Sequence, residues 1–523
     1  MKLKEKKSLF LSNLFQHLDG IVLIPTLIAL ESKYILSNFQ HSNLELLAKK
    51  YNANIAYLHV ALRLLCSQGM MTQKIKDHHD VEFTLNKEID FQTIIQKYKI
   101  AAPLYEEDID YSIILKSHKI KNSQNTTDST LWKTISKYLE EIDKKSVTSQ
   151  IKIHIEGAIL GPIIVALSMA GCFKDLNQDN WDNKINLEWK EKIKILFLVC
   201  NIIKPNGLMT EYGLFLLKRA SSYGVTVSYL KTFRNIKNLL FGNYKLLWTK
   251  VGEEEKHVDR AMNVWGSGGA HNTYFKKIDE IVLDLFNLPI EKQPKGFIDI
   301  GCGNGKLIEH IFDLIYYKTS RGKKLNEYPL FIVGSDFNYK ALQATKETIN
   351  KADIWAKTAF GDISEPNKLA KRLKKEHNIN LEDLLNVRSF LDHNRIYTAP
   401  NKPINKISKS TAAFCQKGKK INNDALQQNL KEHLEKWYPY LKKYGLLIVE
   451  LHTIDPITAA KNIGKTAITA YDASHGFSDQ YIIEYNCFLE TAKEVGLLPD
   501  PAHEYIFPSR EMPIVSINRF IKN

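Results

Sequence analysis

The sequence predicts an α/β protein, with a Rossmann-like sheet in its back half and an α-rich front half that begins with a winged-helix pattern. Three observations predict it. Residues 296–305 read GFIDIGCGNG, an apolar strand that runs into a glycine-rich turn and then an amphipathic helix. Two later apolar strands end in acids, Asp336 and Asp362, placed where open parallel sheets hold their ligands. Near the start, residues 42–85 alternate helix, turn, helix and strand. A chain of 523 residues exceeds a single hydrophobic core, so domains are expected at 1–100, 101–250 and 251–523.

In the front half, Ser42 and Glu45 have the spacing of a capping box, predicting a helix over Asn43–Tyr51. Asn52-Ala53-Asn54 makes a turn, and a second helix runs over Ile55–Gln68 to Gly69. Val81–Leu85 reads as the wing strand. The second helix carries Arg63 as its only cation among Ile55, Leu58, Leu62, Leu64 and Leu65. A helix reading base edges needs several polar side chains on its exposed face, so no nucleic-acid partner is expected. The pattern resembles the non-DNA-binding winged helix of many small-molecule O-methyltransferases, which implies a role in dimerisation and active-site closure. Residues 101–250 read as a helical subdomain, and the acidic run in Val251–Lys256 as the junction.

The back half supplies the ligand-binding signals. Phe297, Ile298 and Ile300 suit a buried parallel strand. Gly301, Gly303 and Gly305 let the backbone approach a ligand closely, and the helix Lys306–Tyr316 follows. Leu330–Gly334 is a second strand, Asn386–Leu391 a fourth and Gly445–Glu450 a fifth. The G-x-G-x-G spacing after Asp299 resembles motif I of class I S-adenosylmethionine (SAM) methyltransferases. That resemblance implies Asp336 as the ribose acid, and Asp362 with Ile363 as the adenine contact.

Composition narrows the setting. The six cysteines are far apart in sequence, which predicts reduced thiols rather than a disulfide frame or zinc knuckle. Polar residues interrupt the apolar stretch near the N-terminus, and no cleavage signal follows, so a cytoplasmic protein without a membrane span is expected. The net charge of +14 favours an acidic partner.

The segments NVWGSGGAH, DIGCGNG, VRSFLDHNR, VELHTIDP and DASHGFSDQY together resemble the metal-dependent C-methyltransferase domains of polyketide synthase loading modules, of the apratoxin type. The resemblance implies Trp265, Gly268 and His271 near the methionine end of SAM. It also implies a mononuclear iron or manganese site and a malonyl-type acyl group on an acyl carrier protein, here supplied in trans. The ligand pool is Asp392, His393, His475 and Gln480, because such groups with open positions suit a Lewis-acidic metal. Glu450, His452 and His393 are the catalytic candidates, with His452 the expected general base. Two alternatives stand beside this: a metal-free O-methyltransferase of a small metabolite, and a SAM-sensing winged-helix regulator.

Overall fold

The computed structural model describes residues 3–76, 80–117, 125–144, 148–174, 176, 181–249 and 255–523. The chain divides into two compact units. The first comprises Met1–Ala270, Lys417–Lys420 and Asp455–Ser478, and the second His271–Gln416, Ile421–Ile454 and Asp479–Asn523. The first unit thus runs to Ala270, 20 residues past the boundary expected at 250, and two later segments return to it. Residues 251–254 of the expected junction lie outside the described residues.

In the first unit, helix α1 (Leu3–Glu31) opens the chain, and 42–85 fold as expected with shifted edges. Strand β1 (Ser42–Asn43) leads into α2 (Leu44–Tyr51). The cap is Asn43 rather than Ser42: Asn43 Oδ1 accepts from the Leu46 N–H at 2.8 Å, because Ser42 is held in the strand opposite Phe83. Asn54 caps α3 (Ile55–Ser67) in the same way. Gly69, at φ 69°, turns the chain into the hairpin of β2 (Met71–Ile75) and β3 (Val81–Leu85). Residues Ala56–Ser67 of α3 are all buried, Arg63 included, whose guanidinium lies 3.4 Å from Asp472. This helix is core, as its composition suggested.

Helix α4 (Ser149–Met169) packs along α1. By length and composition both helices could cross a membrane, and 78% of the apolar window of each is buried within the structure. They approach at two glycines. A Cβ on Gly20 would fall 2.3 Å from the His154 carbonyl oxygen, and one on Gly157 would fall 2.2 Å from that of His17, so only glycine fits either place. Helix α5 (Arg260–Phe286) runs across the boundary between the units.

The second unit is built on a seven-stranded sheet. Its strands are β4 (Gly296–Ile300), β5 (Phe331–Asp336), β6 (Lys357–Phe360), β7 (Leu384–Ser389), β8 (Leu446–Leu451), β9 (Leu497–Ser509) and β10 (Met512–Lys522). The order is β9-β10-β8-β7-β4-β5-β6. The five strands from β8 to β6 are parallel, while β10 runs antiparallel to both β8 and β9. Strands β4 and β8 are buried throughout, which accounts for their continuous apolar runs. Around the sheet stand α6 (Lys306–Lys318), α7 (Tyr339–Lys351), α8 (Pro366–His377), α9 (Asn423–Leu441) and α10 (Tyr485–Glu494). Strand order reverses at β4, with β5 on one side and β7 on the other, the switch point beyond whose carboxyl ends open parallel sheets take their ligands. All six cysteines are buried free thiols.

Candidate active site

The glycine loop lies at that reversal point. Gly301, Gly303 and Gly305 have φ of 77°, 55° and 76°, a backbone region that side chains disfavour. The Gly301 and Cys302 N–H groups both donate to the Ser335 carbonyl, at 2.8 and 3.1 Å, which ties the loop to β5. A Cβ at Gly301 would strike the Leu391 side chain at 2.9 Å. At Gly303 it would meet nothing nearer than the Gly301 oxygen at 4.0 Å. The fold therefore leaves room at Gly303 that a bound molecule can fill.

Asp336 closes β5 and is buried. Its Oδ2 accepts from the Gly303 N–H at 3.1 Å and its Oδ1 from the Asn338 N–H at 2.9 Å. The expected ribose acid thus also braces the loop. Asp299 is buried in β4; burial, then the nearby Asp336 charge, raises its pKa from 3.8 to about 7. Asp362 is half-buried and turns the chain by accepting from the Ser364 N–H at 2.8 Å. The carbonyl of Ile363 accepts from Trp437 Nε1 at 2.7 Å. The acids and glycines assigned to the cofactor, from Asp299 to Ile363, therefore ring the ends of β4, β5 and β6.

Trp265 and Gly268, expected ahead of the first strand at the methionine end of SAM, lie on α5, within the first unit. Gly266 crosses Gly224 there, and a Cβ on Gly224 would fall 2.9 Å from the Trp265 ring, so this part of the motif is a tight helix crossing. His271 is on α5 too, and its side chain lies outside the described residues.

At β7 and β8 the side chains pair. Glu450, buried near the end of β8, accepts a short hydrogen bond from His393 Nδ1, and its Oε2 accepts from the His393 N–H at 3.3 Å. A carboxylate can only accept, so Nδ1 carries the proton and Nε2 the lone pair. The Asn394 side-chain nitrogen stands 3.3 Å from Nε2, and the Tyr481 N–H donates to the His393 carbonyl at 2.8 Å. This geometry suits a general base.

His452 does not have it. Its ring is fully buried, with Nδ1 3.1 Å from the Ile483 carbonyl and Nε2 2.8 Å from Ser516 Oγ. Burial pushes its pKa down to about 4. The expected base His452 therefore has both ring nitrogens held inside the core, by Ile483 and Ser516, whereas His393 pairs with the Glu450 carboxylate and has the Asn394 side chain at its other nitrogen.

The expected metal ligands divide between the two units. His475 is on the helix Ile468–Gly476 of the first unit, its Nδ1 2.7 Å from the Tyr471 carbonyl. Asp392, His393 and half-buried Gln480 belong to the second unit. Asp392 Oδ1 accepts from Arg388 Nη1 at 2.7 Å and lies 3.0 Å from His433 Nε2. Burial alone would raise the Asp392 pKa, but Arg388 and His433 outweigh it and hold the carboxyl well below the ordinary carboxylate range. Among the described residues no three His, Cys, Asp or Glu side chains come together as a metal site.

Sequence reasoning missed Arg388 and His433. Arg388 had a signal, being a lone cation inside an apolar strand; His433 lies on an ordinary amphipathic helix and had none.

Family models match as an AprA N-terminal domain over residues 10–73, an AprA winged helix domain over 156–243 and an AprA MT2-like domain over 255–518. The winged-helix match falls on 156–243, whereas the sequence placed that element within 1–100. No curated protein matches the chain. An O-methyltransferase family 2 protein from Planctomyces limnophilus, solved with apigenin, is 9% identical over 97% of this chain and 96% of its own, at TM-score 0.37. The CurJ carbon methyltransferase is 11% identical over 76% and 98%, at 0.32. The O-methyltransferase NcsB1 of neocarzinostatin biosynthesis, solved with SAM and a naphthoic acid, is 10% identical over 98% and 96%, at 0.28. With the family model spanning half its length, the chain belongs to the AprA MT2-like family and is a SAM-dependent methyltransferase.

Proposed function

We propose that this enzyme methylates carbon, on a malonyl-type acyl group carried by an acyl carrier protein. The observation that carries the reading is the His393–Glu450 pair at the ends of neighbouring parallel strands. Carbon methylation requires loss of a proton from a carbon flanked by carbonyls, and His393 Nε2 is the acceptor for it. Glu450 holds the ring in the tautomer that accepts and stabilises the imidazolium that forms. SAM, when bound, supplies the methyl group. The glycine loop, Asp336 and Asp362 hold that cofactor at the other side of the crevice, and their fixed positions contribute alignment. An excess of basic residues, 72 against 58 acidic, suits an acidic carrier. In this reading the front of the chain pairs two copies, in the cytoplasm and without nucleic acid or membrane.

The iron or manganese implied by the sequence resemblance does not fit the described residues, since Asp392 is committed to Arg388 and His433 and no ligand group forms. No step is assigned to a metal. Intact-protein mass spectrometry of malonyl- or methylmalonyl-loaded carrier, incubated with SAM, tests the reading. A methyl increment is expected with wild type, undiminished in strong chelator, and none with His393→Ala. Methylation confined to the hydroxyl of a small metabolite would replace it by O-methylation through the same base, and loss of transfer in chelator would restore the metal.

A further inference from the structure

The turn that carries His393 is held by a second buried polar group which the methyl transfer does not use. Arg388 lies in β7, fully enclosed, with its guanidinium 4.1 Å from the centre of the Trp437 ring on α9. It donates to Asp392 Oδ1 at 2.7 Å, and His433 Nε2, also from α9, meets the same oxygen at 3.0 Å. Arg395 closes the turn from its other end, donating to the Asp392 carbonyl at 3.0 Å and to Asn429 Oδ1 at 2.8 Å. Asp392 and His433 are at most 5% exposed.

Burying a charge pair is a poor way to add stability, since well-packed apolar residues do as well or better. Here the burial is also imperfect: Arg388 Nε and Nη2 and Asp392 Oδ2 find no hydrogen-bond partner among the described residues. What the arrangement provides is direction. Asp392 immediately precedes His393, and its carboxylate is fixed from a strand and a helix at once. The His393 ring, whose Nδ1 is already held by Glu450, then has one placement.

We propose that Arg388, Asp392 and His433 form a positioning clamp for the His393 base. The inference rests on His393 being that base. Three single variants and one double variant test it, with kcat, KM, SAM affinity and melting temperature measured for each. His433→Ala leaves the Arg388–Asp392 pair in place and should lower kcat about 10- to 100-fold, within what a displaced acid–base group costs. KM and SAM affinity should be unchanged. His433→Gln, which restores an N–H donor, should recover most of kcat even if the alanine variant melts early. His393→Ala combined with His433→Ala should be no slower than His393→Ala alone, because a clamp has nothing to position once the base is gone. Wild-type kcat in His433→Ala, additive losses in the double variant, or a glutamine variant no faster than alanine would overturn the clamp. A fully active His393→Ala would overturn the base itself, a distinguishable result.

Discussion

The two sides of one crevice are built on different principles. Beyond β4, β5 and β6 the chain offers main-chain N–H groups, glycines in left-handed conformations and acids half-spent on bracing the loop. Space is left beside Gly303. Beyond β7 and β8 the chain offers packed side chains, each committed to another: His393 to Glu450, and Asp392 to Arg388 and His433. A cofactor side needs room and exposed dipoles. A chemistry side needs a base whose orientation is fixed in advance. The lesson is that variants on the two sides should fail differently: one side in affinity, the other in turnover.

The largest effect is expected at the base. His393→Ala should reduce kcat by about 10²–10⁴-fold, the range of a lost general base, with calorimetric SAM affinity within twofold or so of wild type. Glu450→Gln should fall less, since the ring stays in place but loses its charged partner. If instead SAM affinity collapses along with kcat, the division between the two sides is wrong.

On the cofactor side, Asp336→Ala removes an acceptor of charge-assisted hydrogen bonds worth about 1.5–3 kcal/mol, so SAM affinity should fall by roughly ten- to a hundredfold. It should also lower the melting temperature, because the Gly303 and Asn338 N–H groups lose their acceptor. Gly303→Val is the cleaner probe. A Cβ there would meet no protein atom nearer than 4.0 Å, so the positive φ, at about 1–2 kcal/mol, is the first cost to the fold. SAM affinity should drop at least about tenfold because the valine occupies the ligand's space. Unchanged affinity in calorimetry would remove Gly303 from the cofactor site.

The same contrast explains what the sequence could and could not convey. The cofactor side is local: strand, glycines and helix are contiguous from 296 to 318, and the acids stand at strand ends that apolar runs make visible. The chemistry side is non-local. His433 meets Asp392 from 41 positions away, and Glu450 meets His393 from 57. Spacing points to residues placed after strands four and five, yet it does not reveal which partner each ring there takes. His452 failed there because the chain continues bonding at that point, its N–H donating to the Ile514 carbonyl at 2.7 Å, and its ring turns to Ser516. Spacing also hid what the glycines beside Trp265 do: Gly266 and Gly224 permit a close helix crossing.

The smallest expected effect is a pH dependence of cofactor binding, and it belongs to the cofactor side. Asp299 titrates near 7 in the folded chain against 3.8 ordinarily, because burial, then Asp336, opposes its charge. A raised carboxyl pKa means that the folded state holds a proton which the unfolded state releases. Its contribution to stability is therefore complete below about pH 4 and is lost as pH rises through 7. Affinity for a cation runs the other way. The sulfonium of SAM is permanently positive, so ionised Asp299 beside Asp336 should hold it better than the neutral acid. Calorimetry from pH 6 to 8 should show SAM affinity rising a few-fold while the melting temperature of the unliganded enzyme falls, and Asp299→Asn should flatten both curves. Because His393 and Glu450 are across the crevice, His393→Ala should leave that pH profile of binding intact. A profile that disappears with His393 instead would mean that the titrating group sits on the chemistry side.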